Sequence, residues 1–519
     1  MRYLTRKNYP AVIGAAFLAA GTLFAQQDGN RALLDLLVRK GVITAQEAID
    51  LQNEVAKAQT APAPTPAAQV SSTPAPEVPA GAVVAADKAS PLSFKIGIAD
   101  FTPLGFVDFT TVYRSTNVGS GIGTNFAGIP YSNSTAGQLS ETRFSAQNSR
   151  LGLKIDSKVN DVKVLGYLET DFLGNAPTNL GTSSNGATLR LRNYFADLRW
   201  NGWEFLAGQD WSMMTPNRRG ISPLPSDIFF TMNMDTNYQA GLVWSRQPQV
   251  RAIYHASDEM TFGLALENPD QYAGGTNGAP TVTFPTGFNT AQVDTGAATS
   301  SPNAFPDVIG KFAYDTKVDD LPWHFDVAGL YRTFKVNTFG STVNTDSTKA
   351  GAGALFNANL QLVKGLTLVG NAYWSEGGGR YVFGQAPDFV VRPADSTGAF
   401  HISPLRTNSF LGGLEWQAAP NSMLFGYYSS VSIDRKYYQL PNGSYVGYGY
   451  PGSANSNNHR INELTLGETQ TLWKNPSYGA LQIISQLSFL DRQPWFVATG
   501  TPDKAKSTML FVDVRYVLP

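Results

Sequence analysis

The sequence predicts an all-β protein: a transmembrane antiparallel β-barrel of about sixteen strands, preceded by a short helical or coiled-coil segment. Three observations predict this fold class: the composition, a two-residue alternation of polar and apolar side chains, and a regular succession of tight turns and long loops. Only 15% of the 519 residues are charged, 12% are aromatic and 49 are glycine, whereas soluble domains carry about 25% charged residues. Few charges and many aromatic rings suit strands that face lipid on one side.

The first 25 residues have the features of a secretory signal peptide. Arg2, Arg6 and Lys7 precede Ala11–Phe24, a run of apolar and small side chains. This run has 14 residues, and a helix of that length is too short for a hydrocarbon core of about 30 Å. We therefore expect residues 1–25 to direct export and to be removed, rather than to anchor the chain.

Residues 26–59 predict two short amphipathic helices. The first, Arg31–Lys40, is followed by Gly41, a residue type that often closes a helix. Thr44 and Glu47 have the spacing of a capping box and open the second helix. Helices this short are unstable alone, so we expect their apolar stripes to pack on each other or on other copies of the chain. An oligomerising role is favoured, and a specific binding role stays open.

Residues 60–92 predict a linker, and residues 93–519 predict the barrel. The linker alternates Pro, Ala, Thr and Ser, a composition that forms a semi-extended spacer. After it the hydrophobic period becomes two, as in a half-buried strand. Polar or small residues alternate with apolar ones in a clear example: Arg150, Gly152, Lys154 and Asp156 against Leu151, Leu153 and Ile155.

Tight turns and long polar loops alternate along residues 93–519. The tight turns fall at Asn160-Asp161, Asn201-Gly202, Ser257-Asp258, Asp319-Asp320, Lys364-Gly365, Pro420-Asn421 and Asn475-Pro476. The long loops are expected at 115–142, 174–187, 211–247, 269–304, 337–349, 377–407, 436–458 and 492–504. Long loops gathered at one end, with short returns at the other, predict about sixteen antiparallel strands with both chain ends on the periplasmic side.

Part of the chain resembles the DcaP-like outer-membrane porins. The resemblance lies in the order and spacing of four segments within about residues 147–270: Gln147–Lys154, Gly166–Phe172, Leu189–Arg192 and Leu206–Ser212. A helical segment ahead of the barrel is also similar to that family. Membership would imply a trimer of barrels that passes small, preferably anionic solutes such as dicarboxylates.

The candidate site has two parts. The loop Trp211–Gln247 joins the fifth and sixth predicted strands and contains Arg218 and Arg219, and we interpret it as a loop that constricts the pore. The alternative is an external loop at a trimer interface. Strand periodicity points a second set of charged residues to the lumen: Arg150, Lys154, Glu169, Asp171, Arg190, Arg192 and Arg251. These arginines either attract carboxylates or pair with the acids to stiffen the wall.

The expected function is an outer-membrane porin for passive diffusion, with membrane lipid, small anionic solutes and two further copies of the chain as partners. The net charge of −1 gives no reason to expect nucleic-acid binding. A surface adhesin or structural barrel remains an alternative. No cofactor, metal or enzyme activity is expected, because none of the four histidines falls in a known catalytic motif: His255, His324, His401 and His459. An energy-coupled importer would need a plug and about 22 strands.

Overall fold

The computed structural model describes Gln46, 90–174, 187–222, Leu224, 238–274, 280–295, 302–340, 343–382 and 385–519. The chain divides into two compact units, Met1–Pro76 and Glu77–Pro519. The expected signal peptide (1–25), helical segment (26–59) and most of the linker (60–92) fall outside the described residues, apart from Gln46, which is helical. Within the described ranges, no helix is long and apolar enough to cross a membrane.

The described residues form 22 strands and four short helical turns. The strands are β1 (Phe94–Ile96), β2 (Ala99–Arg114), β3 (Glu141–Ser145), β4 (Arg150–Val159), β5 (Val162–Asp171), β6 (Arg190–Trp200), β7 (Trp203–Trp211), β8 (Arg246–His255), β9 (Met260–Glu267), β10 (Asp307–Val318), β11 (Leu321–Phe339), β12 (Asn344–Val363), β13 (Leu366–Glu376), β14 (Phe389–Val391), β15 (Ile402–Pro404), β16 (Arg406–Ala419), β17 (Ser422–Ile433), β18 (Lys436–Gln439), β19 (Tyr445–Tyr448), β20 (Asn458–Asn475), β21 (Gly479–Pro494) and β22 (Ala505–Val517). The helical turns are Phe126–Gly128, Thr135–Gln138, Thr290–Gln292 and Gly379–Val382.

One antiparallel sheet of 18 strands closes into a barrel. The last strand closes it, because β22 pairs with β2 from Phe106 to Arg114. The short strands β1 and β3 both lie along β2, which pairs with β3 near one end and with β4 near the other. Leaving these two out gives 18 − 2 = 16 barrel strands. The predicted sixteen-stranded antiparallel barrel is therefore confirmed.

Strands are joined by tight turns at one end of the barrel. At Asn201-Gly202 and at Asp319-Asp320 both central residues have positive φ, between 48° and 80°. This is the conformation of the two-residue turns that match the twist of a hairpin, and Asn, Asp and Gly tolerate it best. The other end carries the loops L1 (115–140), L2 (172–189), L3 (212–245), L4 (268–306), L5 (340–343), L6 (377–405), L7 (434–457) and L8 (495–504).

The expected long loop at 337–349 is wrong. The chain there is mostly strand, because β11 and β12 stay paired until Phe339 lies opposite Asn344. An ion pair joins the two strands, with 2.7 Å between Lys335 Nζ and Asp346 Oδ2. Consecutive polar residues predicted a loop, but both faces of a hairpin that extends beyond the barrel can meet water, so its strands need no apolar face.

The strands present an apolar outer face. In β22, Leu510 and Val514 are more than 40% exposed, whereas the alternating residues Met509, Asp513 and Arg515 are buried inside the barrel. The same alternation exposes large apolar side chains on strands around the whole sheet: Val107, Phe109, Leu151, Phe205, Leu264, Val327, Phe410, Tyr428 and Leu466. An exposed apolar surface of this extent is stable in lipid and not in water. The protein is thus an outer-membrane barrel.

The interior contains an apolar cluster as well as charges. Inward side chains of the strands, such as Leu330 and Leu411, pack with residues of several loops. The loop residues include Phe126 of L1, Leu242 of L3 and Val390 of L6. Loops therefore occupy part of the barrel interior. The charged residues that the sequence pattern predicted to line a polar lumen form only the remaining part of the interior.

The orientation gives a topology prediction. An epitope tag inserted after Gly443, in the exposed turn of L7, should bind antibody on intact cells. A tag after Asn201 or Lys364, in the tight turns, should bind only after the outer membrane is opened. Labelling of intact cells at the tight turns would show that the barrel is inserted the other way round.

Candidate functional site

The first limb of L3 lies inside the barrel. Its described residues are 212–222 and Leu224. The Met213 N–H donates to Glu267 Oε1 at 2.8 Å, and the Asn217 N–H donates to Asp326 Oδ2 at 3.0 Å. Glu267 and Asp326 belong to the buried inner face of β9 and β11. The loop backbone is thus held against the inner wall by carboxylates.

The second limb, 238–245, lies against another part of the wall. The Ala240 N–H donates to Glu463 Oε2 of β20 at 2.8 Å. The Ser409 hydroxyl of β16 donates to the Gly241 carbonyl at 2.7 Å. Both limbs therefore satisfy their backbone groups on inward side chains of the barrel, as buried backbone requires.

Asn217 is the most constrained residue of the first limb. The Lys311 ammonium donates to Asn217 Oδ1 at 2.6 Å and to the Thr215 carbonyl at 2.7 Å. The side-chain amides of Asn357 and Asn359 donate to the Asn217 carbonyl at 2.8 and 2.9 Å. These bonds come from two strands, β10 and β12, and fix the backbone of the limb at this position.

The two arginines after Asn217 differ in their contacts. Arg218 makes two parallel bonds to Glu415 of β16, at 2.7 and 2.6 Å, and the Tyr427 hydroxyl donates to the same carboxylate at 2.7 Å. Arg219 is exposed, and its side chain has no hydrogen bond or ion pair with any residue in the described part of the chain. Arg218 is therefore an anchor of L3, and Arg219 presents its charge to solvent.

Five of the predicted residues form one cluster on β4, β5 and β6, which we call the arginine cluster: Arg150, Glu169, Asp171, Arg190 and Arg192. Arg192 donates to Glu169 at 2.6 Å and to Asp171 at 2.7 Å. Arg190 forks onto Asp171 at 3.0 and 2.6 Å, and the Arg150 Nε lies 3.7 Å from Glu169. Apart from Arg190, whose side chain is 26% exposed, these side chains are almost fully buried.

A β-bulge in β6 helps to build the arginine cluster. The register with β5 shifts between Glu169 and Thr170, and Arg192 falls in the gap. As a result the consecutive residues Arg192 and Asn193 are both buried, where a regular strand would place one of them outside. The bulge turns Arg192 inward, where it donates to Glu169 and Asp171 on the inner face of β5.

The predicted cations are paired with acids. The arginine cluster has three guanidinium groups and two carboxylates, 3 − 2 = +1. Outside it, Lys154 lies 3.0 Å from Asp156, and Arg251 lies 2.9 Å from Asp210. The sequence leaves open whether these arginines attract carboxylate solutes or pair with acids of the wall. Their geometry is that of pairing with acids. Their surplus charge is small.

Several residues that contact L3 are not predicted from the sequence: Glu267, Lys311, Asp315, Asp326, Glu415 and Glu463. Most lie beyond residue 270, where the resemblance to the DcaP-like porins ends. The sequence does contain a signal that could have found them. Each is a charged residue on the inward-facing side of a strand whose neighbouring residues face outward, as Lys311 lies beside the exposed Phe312. In the described ranges, no group of three or more metal-ligating side chains is placed to hold a metal ion.

The extracellular mouth has its own charged contact. Arg332 of β11 is fully buried and donates to Asp388 of L6 at 3.2 Å and to the Gly377 carbonyl at 3.1 Å. Asp388 also accepts from the Tyr272 N–H of L4 at 2.9 Å and from the Arg380 N–H of L6 at 2.8 Å. Burial raises the pKa of Asp388 above its ordinary value, although Arg332 opposes this shift. These bonds tie L4 and L6 to the wall.

Comparison with solved structures gives the fold of this barrel. The outer-membrane channel DcaP of Acinetobacter baumannii is 18% identical, with a TM-score of 0.56, over 81% of this chain and 97% of that one. This chain has the DcaP fold. The resemblance predicted from residues 147–270 is therefore confirmed at the level of the fold.

Other solved barrels match with lower scores. An anion-selective porin from Comamonas acidovorans is 13% identical, with a TM-score of 0.44, over 81% of this chain and 100% of that one. Salmonella typhi OmpF is 12% identical, with a TM-score of 0.41, over 82% of this chain and 100% of that one. Comparison of the sequence with models of protein families and with characterised proteins gives no match.

The arginine cluster gives a stability prediction within this DcaP fold. Arg192→Met should lower the free energy of unfolding by about 3 kcal/mol, because the buried carboxylates of Glu169 and Asp171 lose the positive charge that pairs with them. Arg190→Met is the matched control on the same strand. Its side chain is partly exposed and bonds to Asp171, so its loss should cost about 1 kcal/mol. Urea unfolding in detergent measures both, and equal losses would contradict this ranking.

Proposed function

We propose that the protein is an outer-membrane porin for passive diffusion of small hydrophilic solutes, and that it favours small anions such as dicarboxylates. The fold and the resemblance support a channel. One observation carries the anion preference: Arg219 is exposed inside the barrel, between Arg218, anchored on Glu415, and Gly220, whose N–H donates to Asp315 at 2.9 Å. We infer that L3 narrows the pore and that Arg219, which pairs with no acid in the described part of the chain, adds a positive charge there.

The other charges near L3 largely cancel. Arg218 is neutralised by Glu415, and Lys311 by Asp326 at 3.2 Å. Within the described residues, the positive charge that the first limb of L3 presents to solvent therefore comes from Arg219. A carboxylate within about 8 to 10 Å of Arg219 is attracted, because this is the screening length at physiological salt. A guanidinium group also offers a planar fork of donors that suits a carboxylate.

A surface adhesin or a structural barrel is the second candidate. The apolar cluster that L1, L3 and L6 form inside the barrel favours it, because a filled interior conducts poorly. Single-channel recording in a lipid bilayer separates the two candidates. Stable conducting steps support the porin, and a silent bilayer with correctly folded protein supports the adhesin or structural role.

An outer-membrane enzyme has one observation in its favour. At the extracellular end, His401 Nδ1 lies 2.9 Å from Ser347 Oγ, and His401 Nε2 lies 2.8 Å from Asp395 Oδ2. These are the three side chains of serine hydrolases, but in those enzymes Nε2 faces the serine and Nδ1 faces the aspartate. The reversed ring makes hydrolysis the weakest of the candidates. Ester hydrolysis by the purified protein that disappears in Ser347→Ala would support it.

The anion preference predicts the effect of Arg219→Ser. The ratio of anion to cation permeability, from the reversal potential in a salt gradient, should fall severalfold at about 0.01 M salt and little at about 1 M, because salt screens the charge. Arg406→Ser is the control, since Arg406 is half exposed at the outer rim and pairs with Asp434. Arg492, expected in or beside an outer loop, is instead buried in β21 and unsuitable. An unchanged ratio in Arg219→Ser would remove the basis for anion selectivity.

We propose that the barrels assemble as trimers and that the segment 26–59 contributes to the assembly. Deletion of residues 31–58 should then lower the temperature at which the trimer dissociates in detergent, while the barrel itself stays folded. Native gels report the trimer, and the heat-dependent shift of the monomer band reports the barrel. An unchanged dissociation temperature would give the segment another role.

A further inference from the structure

His324 lies between two carboxylates on the inner face of the barrel. Its side chain is 4% exposed. The Nδ1 atom is 2.9 Å from Asp315 Oδ1, and the Nε2 atom is 3.0 Å from Asp326 Oδ2. Asp315 belongs to β10, and Asp326 follows His324 on the same face of β11. The imidazole thus links side chains of two neighbouring strands.

Each of these carboxylates also holds the first limb of L3. Asp315 Oδ2 accepts from the Gly220 N–H at 2.9 Å, and Asp326 Oδ2 accepts from the Asn217 N–H at 3.0 Å. The two bonds bracket Arg218 and Arg219. The position of Arg219 therefore depends on the two carboxylates that His324 joins.

The protonation state of His324 follows from these contacts. An ionised carboxylate only accepts hydrogen bonds, and a neutral imidazole has one N–H to donate. A neutral ring would satisfy one aspartate and turn a lone pair towards the other. Both contacts are made only by the imidazolium ion, which also balances two acids.

We propose that protonated His324 is a positioning residue for L3: it holds Asp315 and Asp326 in place, and its deprotonation releases the first limb and weakens the anion preference of the pore. This inference rests on the proposed porin function. The mechanism has two steps. Loss of the ring proton first removes one hydrogen bond to a carboxylate, and then leaves an extra negative charge beside Arg219.

The charges around His324 show the size of this change. The ring faces Asp315 and Lys317 of β10 and Asp326 of its own strand, while Lys311 lies beyond Asp326. β12 contributes Asn357 and Asn359, which do not titrate. L3 contributes Arg218, Arg219 and the backbone of Asn217 and Gly220. His324, Lys311, Asp315 and Asp326 sum to 2 − 2 = 0 with a protonated ring and to 1 − 2 = −1 without it.

The first experiment is a pH profile of the reversal potential, from about pH 5 to about pH 10, which spans histidine titration when carboxylates stabilise the ring. We expect the wild-type protein to lose anion preference in one step as the pH rises. His324→Gln should lose that step and keep the low preference at every pH. A step of unchanged size in His324→Gln, or no step in the wild type, would refute the proposal.

His255→Gln is the matched control. His255 is also an inward residue near the tight-turn end of its strand and lies 3.0 Å from one carboxylate, that of Glu204. Its imidazole makes no hydrogen bond to L3 within the described residues. The wild-type step should persist in this variant. Loss of the step in His255→Gln, with no loss in His324→Gln, would assign the titration to a histidine that does not contact the carboxylates holding L3, and would refute this mechanism.

A disulfide tests whether L3 moves. The chain has no cysteine, and a Cβ at Gly220 would lie 3.9 Å from the Thr261 hydroxyl. Gly220→Cys with Thr261→Cys should therefore be able to close a bridge, although the left-handed φ of Gly220 strains a cysteine at this position. The oxidised protein should lose most of the pH step, and reduction should restore it. A full step in the oxidised protein would rule out release of L3.

If His324→Gln does not fold, the protonation state of the His324 imidazole can be measured directly in a protein that retains this histidine. The sequence has four histidines, so the variant with His255, His401 and His459 all changed to Gln retains His324 alone. Its imidazole signals in nuclear magnetic resonance should show the charged ring at about pH 7. A neutral ring at that pH would overturn the proposal. If the protein forms no channel, the porin function fails while this measurement still decides the state of His324.

Discussion

Backbone hydrogen bonds between neighbouring strands form a closed ring, and the rest of the structure depends on this closure. Lipid offers no hydrogen-bond partner, so a sheet that crosses a membrane cannot leave an edge unpaired. The pairing of β22 with β2 removes the last edge. Once the ring is closed, each barrel residue faces either lipid or the interior. A β-bulge, such as the one at Arg192, shifts the alternation by one residue and so moves a charged side chain from the lipid-facing side to the interior.

The interior imposes its own condition on the loops that enter it. A segment without regular structure has no strand to accept its backbone N–H groups, and burial without partners is costly. In L3 these groups donate to inward carboxylates, among them Glu267, Asp326 and Glu463. The acids of the wall therefore serve as receptors for a loop backbone. Their positions, spread over several strands, hold the two described limbs of L3 against the wall.

The sequence predicted the features that depend on short-range rules. Period-two alternation and turn residues were sufficient for the strand number and for the inward direction of residues such as Arg150 and Arg251. Prediction failed where polarity depends on what lies nearby in space. The hairpin at 337–349 is polar because it extends beyond the lipid, and Leu330 is apolar although it faces inward, because loops pack on it. Neither fact is visible within one strand.

The same limit applies to the candidate site. Arg218 and Arg219 are adjacent and chemically identical in the sequence, yet the acid that distinguishes them, Glu415, lies 197 residues further along the chain. His324 belongs to no motif, and its importance follows only from the two backbone bonds that Asp315 and Asp326 make to L3.

These contacts support the proposed anion preference of a chain whose net charge is −1. Selectivity depends on the charge that a solute meets within a screening length, and not on the sum over the protein. Inside this barrel most cations are compensated by acids at hydrogen-bond distance, so their fields largely cancel for a passing solute. Arg219, held between two anchored residues, keeps its field because it pairs with no acid among the described residues. In the proposed porin the ion pairs therefore do more than stiffen the wall: they cancel competing charges, so that the position of Arg219 has the larger effect on the potential near L3.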